Sequence, residues 1–157
     1  MTTNAGIAKI VPLEQQDDSE REPWEIAREY LGVKFRHRGR SQHGLDCLGL
    51  LVVVAERMGI QVFDKPVYGR EPWKDGLRDG IRQHCGEPIE REIQPGDILL
   101  IQFYKSEGPS HVAMAAPHPH GIGIIHTYAR MGRVVEHRID EHRFKQIVEA
   151  YQWPGKD

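Results

Sequence analysis

A chain of 157 residues with 39% hydrophobic content is long enough for one domain with a substantial core and too short for two of ordinary size. Its formal net charge of −2 gives no overall attraction to nucleic acid, and its longest apolar run, residues 48–55, is far short of the roughly 20 residues a membrane-spanning helix needs, so no membrane insertion is expected. Two cysteines are a thin disulfide framework for this length, and residues 1–6 lack the apolar stretch of a secretion signal; both thiols are expected to be free, in a protein made in the cytoplasm without a signal peptide.

In chain order, residues 1–20 read as an N-terminal arm, with an apolar patch at 7–13 and a polar run at 14–20, ahead of a single domain over 21–157. Pro23 opens a helix with Trp24, Ala27, Tyr30 and Leu31 at three-to-four-residue spacing, stopping at Gly32. Residues 33–44 form a basic loop. The run 48–55 is apolar on every side, so its period cannot separate a buried helix from a buried strand; its boundaries decide. Asp46 as cap, Glu56 and Arg57 in the last turn and Gly59 after it predict a helix from Cys47 to about Met58, although three valines in a row would suit a strand. Residues 72–85 read as a further helix ending near Gly86. The turn Gln94-Pro95-Gly96-Asp97 launches a strand over 98–103, and strands over 110–116 and 121–128 flank a connector, Pro117-His118-Pro119-His120.

The chemistry-bearing residue is Cys47. In the first turn of a helix, unpaired N–H groups and the helix dipole stabilise a thiolate, whereas the neighbouring Asp46 carboxylate opposes it, so activation needs a base from elsewhere. If Ala116 opposes Gly121, His111 lies directly opposite His126 with Cβ atoms roughly 5 Å apart. One imidazole then acts on the thiol and the other orients it, which is the arrangement of nucleophile, base and orienter. A rival follows from the same arithmetic: a two-residue turn at Met131-Gly132 puts His137 opposite His126, and three imidazoles near Cys47 are ligands that zinc prefers. Against it stand the absence of any compact ligand spacing and the poor match of Met-Gly to such turns, so no metal and no cofactor is expected. Cys85 reads as structural; His118, His120 and His142 as solvated; His37, His43 and His137 as residues at the site's edge; Trp24, Trp73 and Trp153 as packing anchors.

The ordered set Gly32-Val33-Lys34-Phe35-Arg36, Gly44-Leu45-Asp46-Cys47-Leu48-Gly49, Gln94-Pro95-Gly96-Asp97-Ile98, Ser110-His111-Val112-Ala113 and Ile125-His126 resembles the NlpC/P60 cysteine peptidases, nearest in flavour to the phage-tail type, over about residues 24–153. The resemblance implies a papain-like α+β fold, with the nucleophile on a helix packed against an antiparallel sheet that carries the histidines. It also implies hydrolysis of amide bonds in peptidoglycan stem peptides, commonly between D-glutamate and a diamino acid. Cys47 matches the nucleophile, His111 the base and His126 the polar residue that orients it. Phe35 stands where many members have Tyr and Leu48 where they have Ser; lacking those hydroxyls, the chain is expected to act on peptides still attached to glycan. Phe35, Arg36, Arg38, Asp46 and Leu48 are the expected substrate contacts, with Arg36, His37, Arg38, Arg40 and His43 a cradle for carboxylates or phosphates. The phage-like flavour implies tail subunits as partners and a place in a phage or phage-like tail. The alternatives are a structural tail subunit retaining the fold, or an amidase or acyltransferase on the same scaffold.

Overall fold

A computed structural model of the protein describes residues 18–61 and 76–155. Most of the expected arm, Trp73 and the start of the helix expected from residue 72 lie outside the described residues.

Helix α1 (Pro23–Arg28) begins with proline at its first position and a reciprocal capping box between Glu22 and Glu25. It is shorter than expected: the chain continues as turns to Gly32, whose φ of 88° a residue with a Cβ rarely adopts. Ile26, Ala27 and Tyr30 are fully buried. Arg28 anchors this helix to the sheet, giving Glu136 bonds of 2.9 and 2.8 Å from Nε and Nη2 and the Pro117 carbonyl one of 3.2 Å. A short hairpin, β1 (Arg40–Ser41) and β2 (Gly44–Leu45), folds the basic loop.

Helix α2 (Cys47–Arg57) is the helix the caps predicted. Asp46 accepts the Gly49 N–H at 2.8 Å, and residues 49–55 are buried throughout, which is why the helix is apolar all round. Its far end is held by Arg57, whose side chain is fully buried against Asp18 at 2.6 Å and Glu29 at 3.1 Å. Losing one partner of such a buried pair costs about 3–5 kcal/mol. Helix α3 (Leu77–Cys85) ends at Gly86 and docks through Arg78 and Arg82 onto Glu149.

Five strands, β3 (Ile98–Ile101), β4 (His111–His118), β5 (Gly121–His126), β6 (Val135–Arg138) and β7 (Ile147–Tyr151), form one antiparallel sheet in the order β6-β5-β4-β3-β7, with the short helix α4 (Glu141–Phe144) before β7. Strand alternation divides the core in two. Leu100, Val112, Met114, Ile125 and Tyr151 pack with α1 and α2 on one face; Leu99, Ile101, Ala113, Ala115 and Ile124 pack on the other.

Two registers differ from expectation. Ala116 pairs with Gly123 rather than Gly121, because β4 runs on through Pro117 to His118 and only Pro119 and His120 form the turn. Ala115 donates its N–H to Asp97, so Pro117, two residues on, faces the same side beyond the start of β3, where its missing N–H costs no ladder bond. His137 pairs with Ile124 rather than His126. Met131-Gly132 does not close a two-residue hairpin, because residues 132–134 are drawn away to pair with 32–35: Val134 donates to Val33, Gly32 to Val134 and Phe35 to Gly132, all at 2.9 Å. Both slips are of two residues, so every side chain stays on its expected face.

Candidate active site

Asp46, Cys47 and the loop before them form one unit. Besides capping Gly49, the Asp46 carboxylate accepts the Arg38 backbone N–H at 2.8 Å and an Arg40 guanidinium bond at 3.0 Å. Arg38 adopts a left-handed φ of 63°, an unfavourable conformation that this bond to a buried anion offsets. A side chain at Gly49 would run into the Gly39 carbonyl, so glycine lets the loop lie directly on the first turn of α2. Asp46 was expected among the substrate contacts. At 4% exposure, with its oxygens so occupied, it instead builds the site, and Arg40 is spent on it. Arg36 and Arg38 remain exposed, with no ion pair among the described residues, while Phe35 and Leu48 are half-buried.

Cys47 is half-buried as a residue and packs against the core under β4, with its sulfur on the inner side. Pairing of β4 with β5 starts only at Met114 and Ile125, and the Val112 backbone beyond that point, like that of Leu48, lies close enough to the Cys47 sulfur to act on its charge. Both favour the thiolate, but burial, followed by the Asp46 charge, outweighs them and pushes the thiol up to about 12. The Asp46 carboxylate opposes the thiolate, as its place next to Cys47 leads one to expect, and burial opposes it more strongly.

His111 adjoins Val112 at the start of β4. Its Nε2 lies 2.8 Å from His126 Nδ1, and His126 Nε2 lies 2.9 Å from His137 Nε2. Neither pair is directly opposite in its ladder; the rings meet along the diagonal, which long side chains can span. His111 and His126 are 1% and 0% exposed, and burial holds their imidazoles down at about 3 and about 2, with neighbouring positive charge adding to it. Both rest neutral. The three rings face one another in pairs rather than a common point, and no metal-holding group of His, Cys, Asp or Glu occurs among the described residues.

Phe103 stacks on His111 at 5.1 Å between ring centroids, Tyr128 meets its edge at 5.2 Å, and the Arg143 guanidinium lies 5.4 Å over Phe103. None of the three was picked out from the sequence. Strand alternation places Phe103 and Tyr128 on the His111 face; no sequence signal points to Arg143, which reaches the ring from α4. The site therefore brings a thiol next to β4 and two buried neutral imidazoles at the same strand opening. The Val112 and Leu48 backbone favours the thiolate, and among the described residues no hydrogen bond joins the thiol to His111.

The NlpC/P60 family model matches residues 32–152. No curated protein matches. Among solved structures, an NlpC/P60 family protein from Bacillus cereus superimposes with a TM-score of 0.62 at 16% identity, covering 90% of this chain and 43% of its own. NlpC1 from Trichomonas vaginalis gives 0.64 at 19% identity, covering 89% and 45%. The NlpC/p60 domain of the peptidoglycan hydrolase SagA gives 0.56 at 19% identity, covering 83% of this chain and 95% of that domain. This chain thus spans about half the length, or less, of the first two and nearly the whole of the third. The mixed helix and antiparallel-sheet architecture is the papain-like one of these structures, and with the family model matched over most of its length the chain belongs to the NlpC/P60 family.

Proposed function

We propose that this chain is a cysteine peptidase that hydrolyses amide bonds in peptidoglycan stem peptides, with the bond between D-glutamate and a diamino acid as its first candidate. The observation that carries the reading is the placement of Cys47 at the start of a capped helix, beside the strand that begins at His111, whose ring is held by His126. Family membership and the likeness to a domain named for peptidoglycan hydrolysis support it.

With both groups neutral at rest, the thiol is not a preformed ion pair. As Cys47 Sγ attacks the amide carbon, its proton passes to His111, and the oxyanion is held by N–H groups at the start of α2, that of Cys47 first. The C–N bond then breaks, the leaving amine takes the proton from His111, and water activated by the same imidazole hydrolyses the thioester. Contact between thiol and ring tightens in the substrate complex, as catalytic hydrogen bonds commonly do. Arg36 and Arg38 offer charge for stem-peptide carboxylates, with Phe35 and Leu48 as apolar contacts beside them.

The phage-like flavour of the motifs supports a place in a phage or phage-like tail, with tail subunits as partners and residues 1–20 as the joining arm. Digestion of purified sacculi, followed by mass analysis of the released muropeptides, tests the activity: cleaved stem peptides are expected, and intact sacculi with folded protein would overturn it. Fractionation of a producing culture tests the context, since recovery only as free monomer would remove the tail assignment.

A further inference from the structure

We propose that His137 is a positioning residue that fixes which nitrogen of His111 carries its proton; the inference rests on the reading of His111 as the base toward Cys47. The row of rings ends on the main chain, where His137 Nδ1 lies 2.9 Å from the Arg138 carbonyl oxygen. A carbonyl only accepts, so Nδ1 carries the hydrogen, and in the neutral ring Nε2 is left as an acceptor. That lone pair faces His126 Nε2 at 2.9 Å. His126 must then donate from Nε2 and accept at Nδ1. Its Nδ1 in turn faces His111 Nε2 at 2.8 Å, so His111 donates from Nε2 and keeps Nδ1 unprotonated.

The nitrogen left with a lone pair is the one a base needs. Burial keeps His111 and His126 neutral, so a second proton on either does not scramble the order. Packing holds the rings in place as well, with successive centroids 5.0 Å apart along the row. Without His137, the His126 Nε2–H becomes a buried donor with nothing to receive it, and the lost bond favours the reversed tautomer. In that reversed order His126 donates to His111 Nε2, and the hydrogen of His111 moves to Nδ1, where it blocks proton uptake. A half-buried histidine on β6 therefore sets the basicity of a buried one on β4.

Nitrogen-15 spectra of the full chain labelled at histidine report the tautomer of each ring directly, without turnover. The wild type should show His111 protonated at Nε2. His137→Gln supplies a carbonyl acceptor at similar reach and should keep that tautomer, with kcat within a few-fold of wild type. His137→Ala should shift His111 toward the Nδ1–H form and lower kcat about tenfold with KM unchanged. His137→Lys, which only donates, should complete the reversal and cost roughly 10²-fold or more, on the scale of general acid–base terms. Wild-type spectra and kcat in both the alanine and lysine variants would overturn the inference, as would a wild-type His111 already protonated at Nδ1. Hydrolysis surviving Cys47→Ala would instead defeat the reading it rests on, while the spectra would still report the order of the row.

Discussion

His111 Nε2 lies 2.8 Å from His126 Nδ1 at a point where the ladder between their strands has already ended, His111 three residues and His126 one residue beyond the last pair, Met114 with Ile125. The rings meet where the strands open, and aromatic packing from Phe103 and Tyr128 replaces main-chain pairing there. A base held this way depends on its ring partner for direction. His111→Ala is expected to lower turnover of a soluble muropeptide by roughly 10²–10⁴-fold, and His126→Gln to retain part of the rate, because the amide still offers an acceptor to His111. If His126→Gln is as inactive as Cys47→Ala, the division of roles is wrong.

Cys47→Ala should abolish hydrolysis while the thermal transition stays close to wild type, because the substitution removes only a sulfur from a half-buried position. Cys85→Ala, at the end of α3, should stay active. Equal loss in both would point to a structural role for the thiols. Chelator treatment should leave the activity of the wild type unchanged, which elemental analysis of the same sample checks.

Acid should destabilise the fold through His111 and His126. Their folded-state values lie far below the ordinary imidazole value near 6.5, so between about pH 6.5 and about pH 3 the unfolded chain binds protons that the folded chain refuses. Stability therefore falls as pH falls through that window, by up to about 1.4 kcal/mol per pH unit for each ring. Urea unfolding at a series of pH values measures the slope. Replacing His126 by Gln should make it shallower; an unchanged slope would mean that the buried rings are not its source.

The Asp46 charge is the second cause holding the Cys47 thiol protonated, after burial. Asp46→Asn keeps an oxygen for the Gly49 N–H but removes the charge, so the pH midpoint for iodoacetamide alkylation of Cys47, read in a Cys85→Ala background, should move down. Weaker bonds to Arg38 and Arg40 should cost about 1–3 kcal/mol of stability at the same time. A midpoint that stays put or rises would show that the carboxylate does not act on the thiol.

The sequence disclosed the helix that carries Cys47 because its ends are local signals: Asp46 caps it and Gly59 follows its last turn. It disclosed the row of histidines for a different reason. The registers expected for both hairpins were off by two, yet a slip of two keeps every side chain on its face, so the three rings came together regardless. What stayed hidden depends on distant chain segments. Pro117 inside a strand is permitted only because β3 starts too late to need its N–H, and residues 132–134 leave their hairpin only because 32–35 compete for them. The opposition of Asp46 to the thiolate is legible from its place next to Cys47, whereas the larger effect of burial is not, because spacing does not reveal it.

The buried Arg57 sets where anything attached ahead of residue 18 would join the domain. Asp18 is fastened to Arg57 through its backbone N–H, at 2.7 Å to the carbonyl, and through its carboxylate. Cys47 and Arg57 are the two ends of an 11-residue helix, a separation of about 15 Å at 1.5 Å per residue. The chain thus enters the described domain at the end of α2 remote from Cys47, so a change at that entry point is separated from the thiol by the whole length of the helix.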